Sequence, residues 1–297
     1  MEQLIETVVR GLGQGSVYTL LGLGFVIIYK GTRVVNFAQP SLMVLGALFT
    51  SWFAVTQGLP FPLAVLLAAV LAAAVGAVTE RVAMRPMVGR PVFSATMVTV
   101  GVFIVLGVVA NDMIGTNVRQ IGDPWGLDTV EVGGVVLFES DLAREIVTAL
   151  VVVALLTFFK YARSGLAMRA TALDQETSLA QGIRVGRMFS LSWALAGALA
   201  AIAGMFVGGS AGVTSTTQVI ALKALPAIVL GGLDSVGGAV IGGLAIGLAE
   251  SVTRTYQPEF APWLGQGFDS VVPYVVMLLV LLVRPYGIFG TREVERV

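Results

Sequence analysis

Residues 61–79 read Phe-Pro-Leu-Ala-Val-Leu-Leu-Ala-Ala-Val-Leu-Ala-Ala-Ala-Val-Gly-Ala-Val-Thr and contain no charged side chain. A helix that crosses the hydrocarbon core of a bilayer needs about 20 consecutive, mostly apolar residues. The run is long enough and apolar enough to meet that need. It therefore predicts a membrane-spanning helix, with membrane lipid as its surroundings.

The composition of the whole chain agrees with this stretch. Hydrophobic residues make up 56% of the 297 and charged residues 12%, whereas soluble proteins carry about 25% charged residues. The net charge is zero, which gives no basic surface for nucleic acid. Cysteine and histidine are both absent, so disulfides, thiolate or imidazole metal ligands and an imidazole base are excluded.

Similar apolar segments occur along the entire sequence. They predict an all-α, polytopic membrane protein that forms a single transmembrane domain over residues 1–297. The count is nine spans, or eight if 219–249 is one merged span, and a re-entrant loop at 219–233 is a further alternative. The nine segments are 11–29, 40–56, 61–79, 91–114, 142–159, 188–209, 219–233, 236–253 and 268–284.

Two long polar connections carry opposite charge. The acidic segment 115–141 alternates weakly over 130–138 and contains a Gly-Gly pair, which predicts a loop with a small hairpin. Segment 160–187 is basic. Placing it in the cytoplasm leaves 13 of the 18 basic residues on that side, in 30–39, 80–90, 160–187 and 284–297. Since basic residues concentrate in cytoplasmic loops, we expect the N-terminus outside, 115–141 outside and the C-terminus inside.

Charged residues within the apolar segments are few. Glu80, Asp112, Glu250 and Asp269 stand at segment ends, where interfacial water explains them. Lys223 lies about one turn inside its segment and is a better candidate for a polar cavity. No carboxylate stands clearly at mid-span, as a proton-driven transporter would require.

Energy coupling has to come from another subunit if ATP drives this protein. The phosphate-binding pattern Gly-x-x-x-x-Gly-Lys-Ser/Thr is absent from the chain. We therefore expect no enzymatic activity, and no cofactor, in this chain.

Three separate stretches carry a family resemblance. The first is Gly15-Ser-Val-Tyr-Thr-Leu-Leu-Gly-Leu-Gly24 with Ile28-Tyr-Lys-Gly-Thr-Arg-Val-Val-Asn-Phe-Ala-Gln-Pro40. The second is Gly165-Leu-Ala-Met-Arg-Ala-Thr-Ala-Leu-Asp174 with Ala180-Gln-Gly-Ile-Arg184. The third is Lys223-Ala-Leu-Pro-Ala-Ile-Val-Leu-Gly-Gly232, Asp234-Ser-Val-Gly-Gly-Ala239 and Leu282-Val-Arg-Pro-Tyr-Gly-Ile-Phe-Gly290.

In this order and spacing the stretches resemble permease subunits of branched-chain amino acid ABC importers, in particular the shorter, H-type subunit. The resemblance covers nearly the whole chain. One departure is Pro40, where the family usually has glycine. The resemblance implies a permease of the type II ABC importer fold in the cytoplasmic (inner) membrane.

The same resemblance implies partners and cargo. The partners would be a second homologous permease, two cytoplasmic ATPases that hold ATP and Mg, and an extracytoplasmic binding protein. Branched-chain or other hydrophobic amino acids would be the cargo. A urea or short-amide permease shares the motifs and remains an alternative, and an ion-coupled secondary transporter is a less favoured one.

Two groups of residues are the candidate sites. Residues 164–187 predict a helix–turn–helix with a small apolar face, and the resemblance implies that this segment docks on the ATPase, although an ordinary solvated loop is the alternative. The residues proposed for this coupling are Gly165, Arg169, Ala170, Asp174, Ala180, Gly182 and Ile183.

The second group is proposed to line the substrate pathway. Asn36 and Gln39 could offer amides to a zwitterion, or could merely satisfy backbone groups at a helix turn. Glycines at 231–232 and 237–238 predict broken helices, which at membrane depth occur only where they are buried in protein or line a cavity. The pathway candidates are Asn36, Gln39, Lys223, Gly231 and Gly232.

Overall fold

The structure is a computed structural model that describes residues 2–115 and 117–290. It is almost entirely helical. The helices are α1 (Glu2–Thr32), α2 (Gln39–Ser51), α3 (Phe61–Thr79), α4 (Val92–Ile114), α5 (Glu139–Tyr161), α6 (Arg163–Leu173), α7 (Gln175–Ala180), α8 (Val185–Ala211), α9 (Thr217–Leu222), α10 (Ala224–Gly231), α11 (Val236–Phe260) and α12 (Val272–Val283).

Shorter turns of other types extend several of these helices. π-helical turns cover Trp52–Thr56, after α2, and Glu80–Met84, after α3. Turns of 3-10 helix cover Arg85–Met87, Pro262–Leu264 and Phe268–Ser270.

The all-α membrane fold predicted from the sequence is confirmed, and each of the nine apolar segments is helical. Within the described residues, six helices are long and apolar enough to cross a membrane: Glu2–Thr32, Phe61–Met87, Val92–Ile114, Glu139–Tyr161, Val185–Ser210 and Val236–Phe260. Thr217–Gly231 and Phe268–Val283 are apolar but shorter. The merged span 219–249 is wrong, because α10 ends at Gly231 and α11 begins only at Val236.

The chain divides into two compact units that the sequence did not predict. Unit 1 comprises the described residues of Met1–Val26, Trp125–Thr148 and Leu222–Val297. Unit 2 comprises the described residues of Ile27–Pro124 and Ala149–Ala221. Both units are assembled from segments that are distant in the sequence.

Unit 2 is built around α2, whose residues are almost all buried between α3 and α8. Glycines allow this close approach. A Cβ on Gly46 would collide with Ala201 of α8, and a Cβ on Gly204 of α8 would collide with the backbone of α2. Small residues let helix backbones meet and gain packing contacts that lipid does not provide.

Unit 1 uses the same device twice. α1 meets α11 where a Cβ on Gly15 would lie 2.7 Å from Leu244 Cα, and α11 has its own glycine, Gly247, against that stretch of α1. α10 meets α11 where Gly242 approaches the backbone of Ala227. α11 therefore packs through glycine on both neighbours.

The predicted hairpin is present in the acidic connection. β1 (Thr129–Val132) pairs antiparallel with β2 (Val135–Phe138), and Val132 lies opposite Val135. The two residues of the turn, Gly133 and Gly134, have φ angles of 61° and 85°. A two-residue hairpin turn of this kind requires positive φ, which glycine adopts without strain.

Basic connections gather at one end of unit 2. Arg85 Nη2 donates to Gly186 O at 2.9 Å, and Gln175 Nε2 approaches Gly31 O at 3.4 Å. Segments 30–39 and 80–90 and the start of α8 thus lie at the same end of unit 2. This agrees with the assignment of these basic segments to one side of the membrane. The remaining basic residues of the predicted cytoplasmic tail, Arg292 and Arg296, lie outside the described residues.

Candidate functional site

The segment proposed for coupling folds as two short helices. α6 and α7 meet at Asp174, whose carboxylate accepts hydrogen bonds from Thr177 N (3.1 Å) and Thr177 Oγ1 (2.6 Å). These bonds, the hydroxyl bond foremost, hold the pKa of Asp174 below its usual range. Gly182 follows α7 with φ at 83°, a conformation that favours glycine. The predicted helix–turn–helix is therefore present, with Asp174 as the N-cap of α7.

Part of this segment packs against the protein and part of it is exposed. Gly165 is buried, since a Cβ there would lie 2.9 Å from Phe159 Cα at the end of α5. Leu173 and Leu179 are 89% and 59% exposed. Arg169, Asp174, Ala180 and Gly182 are also exposed, while Ala170 and Ile183 are half-buried. Exposed leucines and an exposed arginine thus occur together on this segment, a composition that suits the docking of another protein.

Asn36 and Gln39 are completely buried in unit 2. Asn36 Nδ2 donates to Gln39 Oε1 at 3.2 Å, and Asn36 Oδ1 accepts from Ala38 N at 3.0 Å. Gln39 Nε2 donates to Ala196 O of α8 at 3.0 Å. In this conformation the amides therefore satisfy each other and the backbone where α2 begins.

Lys223 lies at the start of α10 and forms an ion pair in unit 1. Its Nζ is 2.6 Å from Glu250 Oε1 and 3.2 Å from Ser270 Oγ. Glu250 also accepts a hydrogen bond from Tyr18 Oη at 2.5 Å, and Arg254 approaches it at 3.4 Å. α1, α10 and α11 thus converge on one buried carboxylate.

The explanation of Glu250 and Glu80 by interfacial water is wrong, because both carboxylates are buried in protein. Glu250 stands in the middle of α11 and is 1% exposed. Glu80 is also 1% exposed, and its carboxylate binds Arg85 at 2.9 Å and accepts a hydrogen bond from Ser190 Oγ of α8. Buried charges need partners of this kind, because an unpaired charge in the interior is strongly unfavourable.

Gly231 and Gly232 end α10. Gly232 has a φ of 104°, and a Cβ on it would lie 2.5 Å from Gly290 N. The N–H groups of Ile288 and Phe289 donate to the carbonyls of Leu230 and Gly231, at 2.8 and 3.1 Å. The last carbonyls of a helix have no partner inside it, and here residues near the C-terminal end of the chain supply that partner.

The pathway candidates do not form one cluster within a unit. Asn36 and Gln39 belong to unit 2, whereas Lys223, Gly231 and Gly232 belong to unit 1. The coupling residues all belong to unit 2. No group of carboxylates within 2–115 and 117–290 is arranged to hold a metal ion.

Comparison with known proteins gives a match along nearly the whole chain. Residues 7–281 match the family described as branched-chain amino acid transport system / permease component. The protein is 31% identical to the high-affinity branched-chain amino acid transport system permease protein LivH of Salmonella typhimurium, over 99% of this chain and 97% of that protein. It is also 31% identical to the corresponding protein BraD of Pseudomonas aeruginosa, over 99% and 98%.

A more distant relative and a solved structure are similar as well. The probable branched-chain amino acid transport permease protein LivH of Methanocaldococcus jannaschii is 28% identical over 91% of this chain and 88% of its own length. PsaBC from Streptococcus pneumoniae in complex with Fab has a TM-score of 0.47 and 16% identity, over 96% of this chain and 91% of that chain.

Proposed function

Because the chain belongs to the family of permease components of branched-chain amino acid transport systems, we propose that it translocates branched-chain or similar hydrophobic amino acids into the cell. It is a membrane protein and one component of a multi-subunit transporter. The observation that carries the proposal is the 31% identity to LivH over 99% of the chain.

The partners in the proposal are those of an ATP-driven importer. A second homologous permease completes the membrane part, and an extracytoplasmic binding protein delivers the substrate. Two cytoplasmic ATPases hold ATP and Mg and carry out hydrolysis, so this chain needs no catalytic residues of its own. The proposed location is the inner membrane, with 115–141 outside and 160–187 inside, which the clustered basic segments of unit 2 support.

The contact with the ATPase is proposed at α6 and α7. Leu173, Leu179 and Ala180 are exposed apolar residues of these two helices and are available to a partner. α6 packs against α8, and Arg85 joins the start of α8 to the residue that follows α3 through Gly186 O and Glu80. A displacement of the coupling helices would therefore reach two long helices of unit 2, as a switching transition requires.

An ion-coupled carrier is a second candidate, favoured by one observation. Glu250 is a buried carboxylate in the middle of a helix, a position at which proton relays occur. Its ion pair with Lys223 at 2.6 Å argues for a structural role, because two buried opposite charges compensate each other and join the helices that carry them.

Uptake of radiolabelled leucine in cells that carry the complete transport system tests the proposal. We expect Ala180→Arg to abolish uptake and substrate-stimulated ATP hydrolysis, because added volume and charge disrupt a packed interface. Gln57→Arg is the control, since Gln57 is exposed and remote from α7 in the sequence. Both variants should reach the membrane in equal amounts.

Energy dependence separates the candidates. Uptake should stop on ATP depletion and survive a protonophore. Uptake that survives ATP depletion and stops with the protonophore would refute the ABC proposal. Competition by urea or short amides, with no effect of unlabelled leucine, isoleucine or valine, would assign the protein to the amide alternative.

A further inference from the structure

Unit 2 contains a cavity of about 120 Å³ at the end where its basic segments gather. One water molecule needs about 10–15 Å³ of such a cavity. The cavity therefore has room for roughly eight water molecules, or for one small organic molecule. Its walls are largely apolar and include Met84, Met87, Val92 and Phe189. Apolar walls with a few polar groups are typical of small-molecule sites.

Trp193 of α8 lines this cavity and carries an unused donor. The side chain is completely buried, and its Nε1–H has no hydrogen-bond partner among the described residues. Leaving a buried donor unpaired is unfavourable, because it has lost its hydrogen bond to water without gaining another. A bound group that accepts a hydrogen bond would remove this penalty.

Two opposite charges line the same cavity. Arg90 is exposed and makes no ion pair within residues 2–115 and 117–290. Glu80 is buried, and its Oε1 accepts one long hydrogen bond, from Arg85 Nε at 3.3 Å. A carboxylate oxygen can accept more than one hydrogen bond, so Oε1 has capacity for an ammonium group.

We infer that this cavity binds the aliphatic amino acid that the protein transports, a reading that rests on the proposed function. Trp193 Nε1–H and Arg90 bind the carboxylate of the ligand, Glu80 binds its ammonium group, and the methionine and valine walls enclose the branched side chain. Each feature of an aliphatic zwitterion thus has a matching group.

The cavity also touches the coupling segment. Gln175, the first residue of α7, lines it together with residues at the end of α3 and the start of α4. A bound amino acid therefore contacts three elements of unit 2 at once, including one that we propose to meet the ATPase. The site is distinct from the Lys223–Glu250 pair, which belongs to unit 1.

Equilibrium dialysis of the purified full-length protein in nanodiscs against radiolabelled L-leucine tests the inference. We expect saturable binding. 4-Methylpentanoate lacks the ammonium group and isoamylamine lacks the carboxylate, so each should compete at least roughly tenfold more weakly than unlabelled leucine.

Two variants probe the cavity from different sides. Trp193→Phe keeps an aromatic ring but removes the N–H, and should weaken leucine binding by roughly tenfold or more. Val88→Trp fills the cavity from a position that is 57% exposed, so it should block binding without disturbing the core. Trp263→Phe is the matched control, because Trp263 is 80% exposed and belongs to unit 1. It should bind leucine like the wild type.

The inference is overturned if the wild type binds no leucine, or if both cavity variants bind leucine with unchanged affinity. It is also overturned if labelled oleate, a fatty acid that tests for a lipid chain, occupies the cavity instead. Uptake assays on the same variants separate this failure from failure of the proposed function. Leucine uptake that depends on the protein while the cavity binds nothing removes only the cavity site. Absence of leucine uptake removes the proposed function itself.

Discussion

Replacement of Lys223 by methionine would test whether the buried ion pair with Glu250 holds unit 1 together. Lys223 and Glu250 have side chains only 15% and 1% exposed. Removing one partner of a buried pair typically costs about 3–5 kcal/mol, because the other charge stays buried without compensation. Glu250 keeps the Tyr18 hydroxyl at 2.5 Å and Arg254 at 3.4 Å. We therefore expect Lys223→Met to lower the free energy of unfolding by an amount near the lower limit, about 3 kcal/mol.

A double variant separates the ion pair from the volume change. In Lys223→Met/Glu250→Gln no unpaired charge remains at the pair, and Arg254 keeps its contact with Asp269 at 2.8 Å. The double variant should then lose about 1–2 kcal/mol less unfolding free energy than the two single variants lose together. Lys30→Met is the control, because Lys30 is exposed, and it should change stability by less than about 0.5 kcal/mol.

The measurement is equilibrium unfolding of the purified protein in mixed micelles with increasing denaturing detergent. Leucine uptake, at temperatures where the variant stays folded, separates a pathway role for Lys223 from a structural one. If Lys223→Met unfolds like the wild type, or the single effects simply add, then the pair does not stabilise unit 1 as argued. Normal uptake by the folded variant would remove Lys223 from the proposed pathway.

Three further predictions concern orientation, packing and capping. Single cysteines at Thr129 and Gln181, both exposed, should differ in labelling of intact cells by an impermeant maleimide, with only position 129 reacting; equal labelling would refute the orientation. Gly76→Ala should destabilise the protein by about 1–3 kcal/mol, because its Cβ would collide with the backbone of α8. Gly101→Ala is the control, since Gly101 has open space around it, and it should be neutral or stabilising by up to about 1 kcal/mol. Thermal unfolding compares the two variants. Asp174→Ala should impair substrate-stimulated ATP hydrolysis and Asp174→Asn should preserve it, since asparagine also caps helices. Because the pKa of Asp174 is lowered in the folded protein, the cap is complete at neutral pH and is lost only as acid protonates this carboxylate. Circular dichroism of a peptide of residues 160–187, compared at neutral and at acid pH, would follow that loss.

Local signals were enough to predict most elements of the fold. The apolar runs are helical because a helix pairs the backbone N–H and C=O groups internally, whether its side chains face lipid or protein. The Gly-Gly pair at 133–134 marked the hairpin because few other residues adopt the required backbone angles. The apolar face and the glycine of 164–187 likewise predicted the helix–turn–helix formed by α6 and α7.

The buried carboxylate was missed because its environment is not local. Arg254, Glu259 and other polar residues end the apolar window at about 253, so Glu250 looked like a residue at the edge of a span. α11 instead continues to Phe260. The partners of Glu250 come from α1, from the start of α10 and from the next turn of α11, and no sequence period connects them.

The division into two units was missed for the same reason. Each unit combines segments that are separated by long stretches of sequence. The contacts that define the units, such as that between Gly15 and Leu244, join residues on different helices. Hydropathy gives the position of each helix but not its neighbours.

The short helix α10 also has a consequence for the order in which the chain enters the membrane. Its eight residues, Ala224–Gly231, cover only about 12 Å of a hydrocarbon core of about 30 Å. Lys223 stands at its start, and a lysine within a span opposes insertion, by up to about 2.5–3.5 kcal/mol at the centre. Glu250, which neutralises that lysine, is synthesised later and arrives with α11. The translocon should therefore release α10 and α11 into lipid as one helical pair, with α10 held back until α11 has emerged from the ribosome.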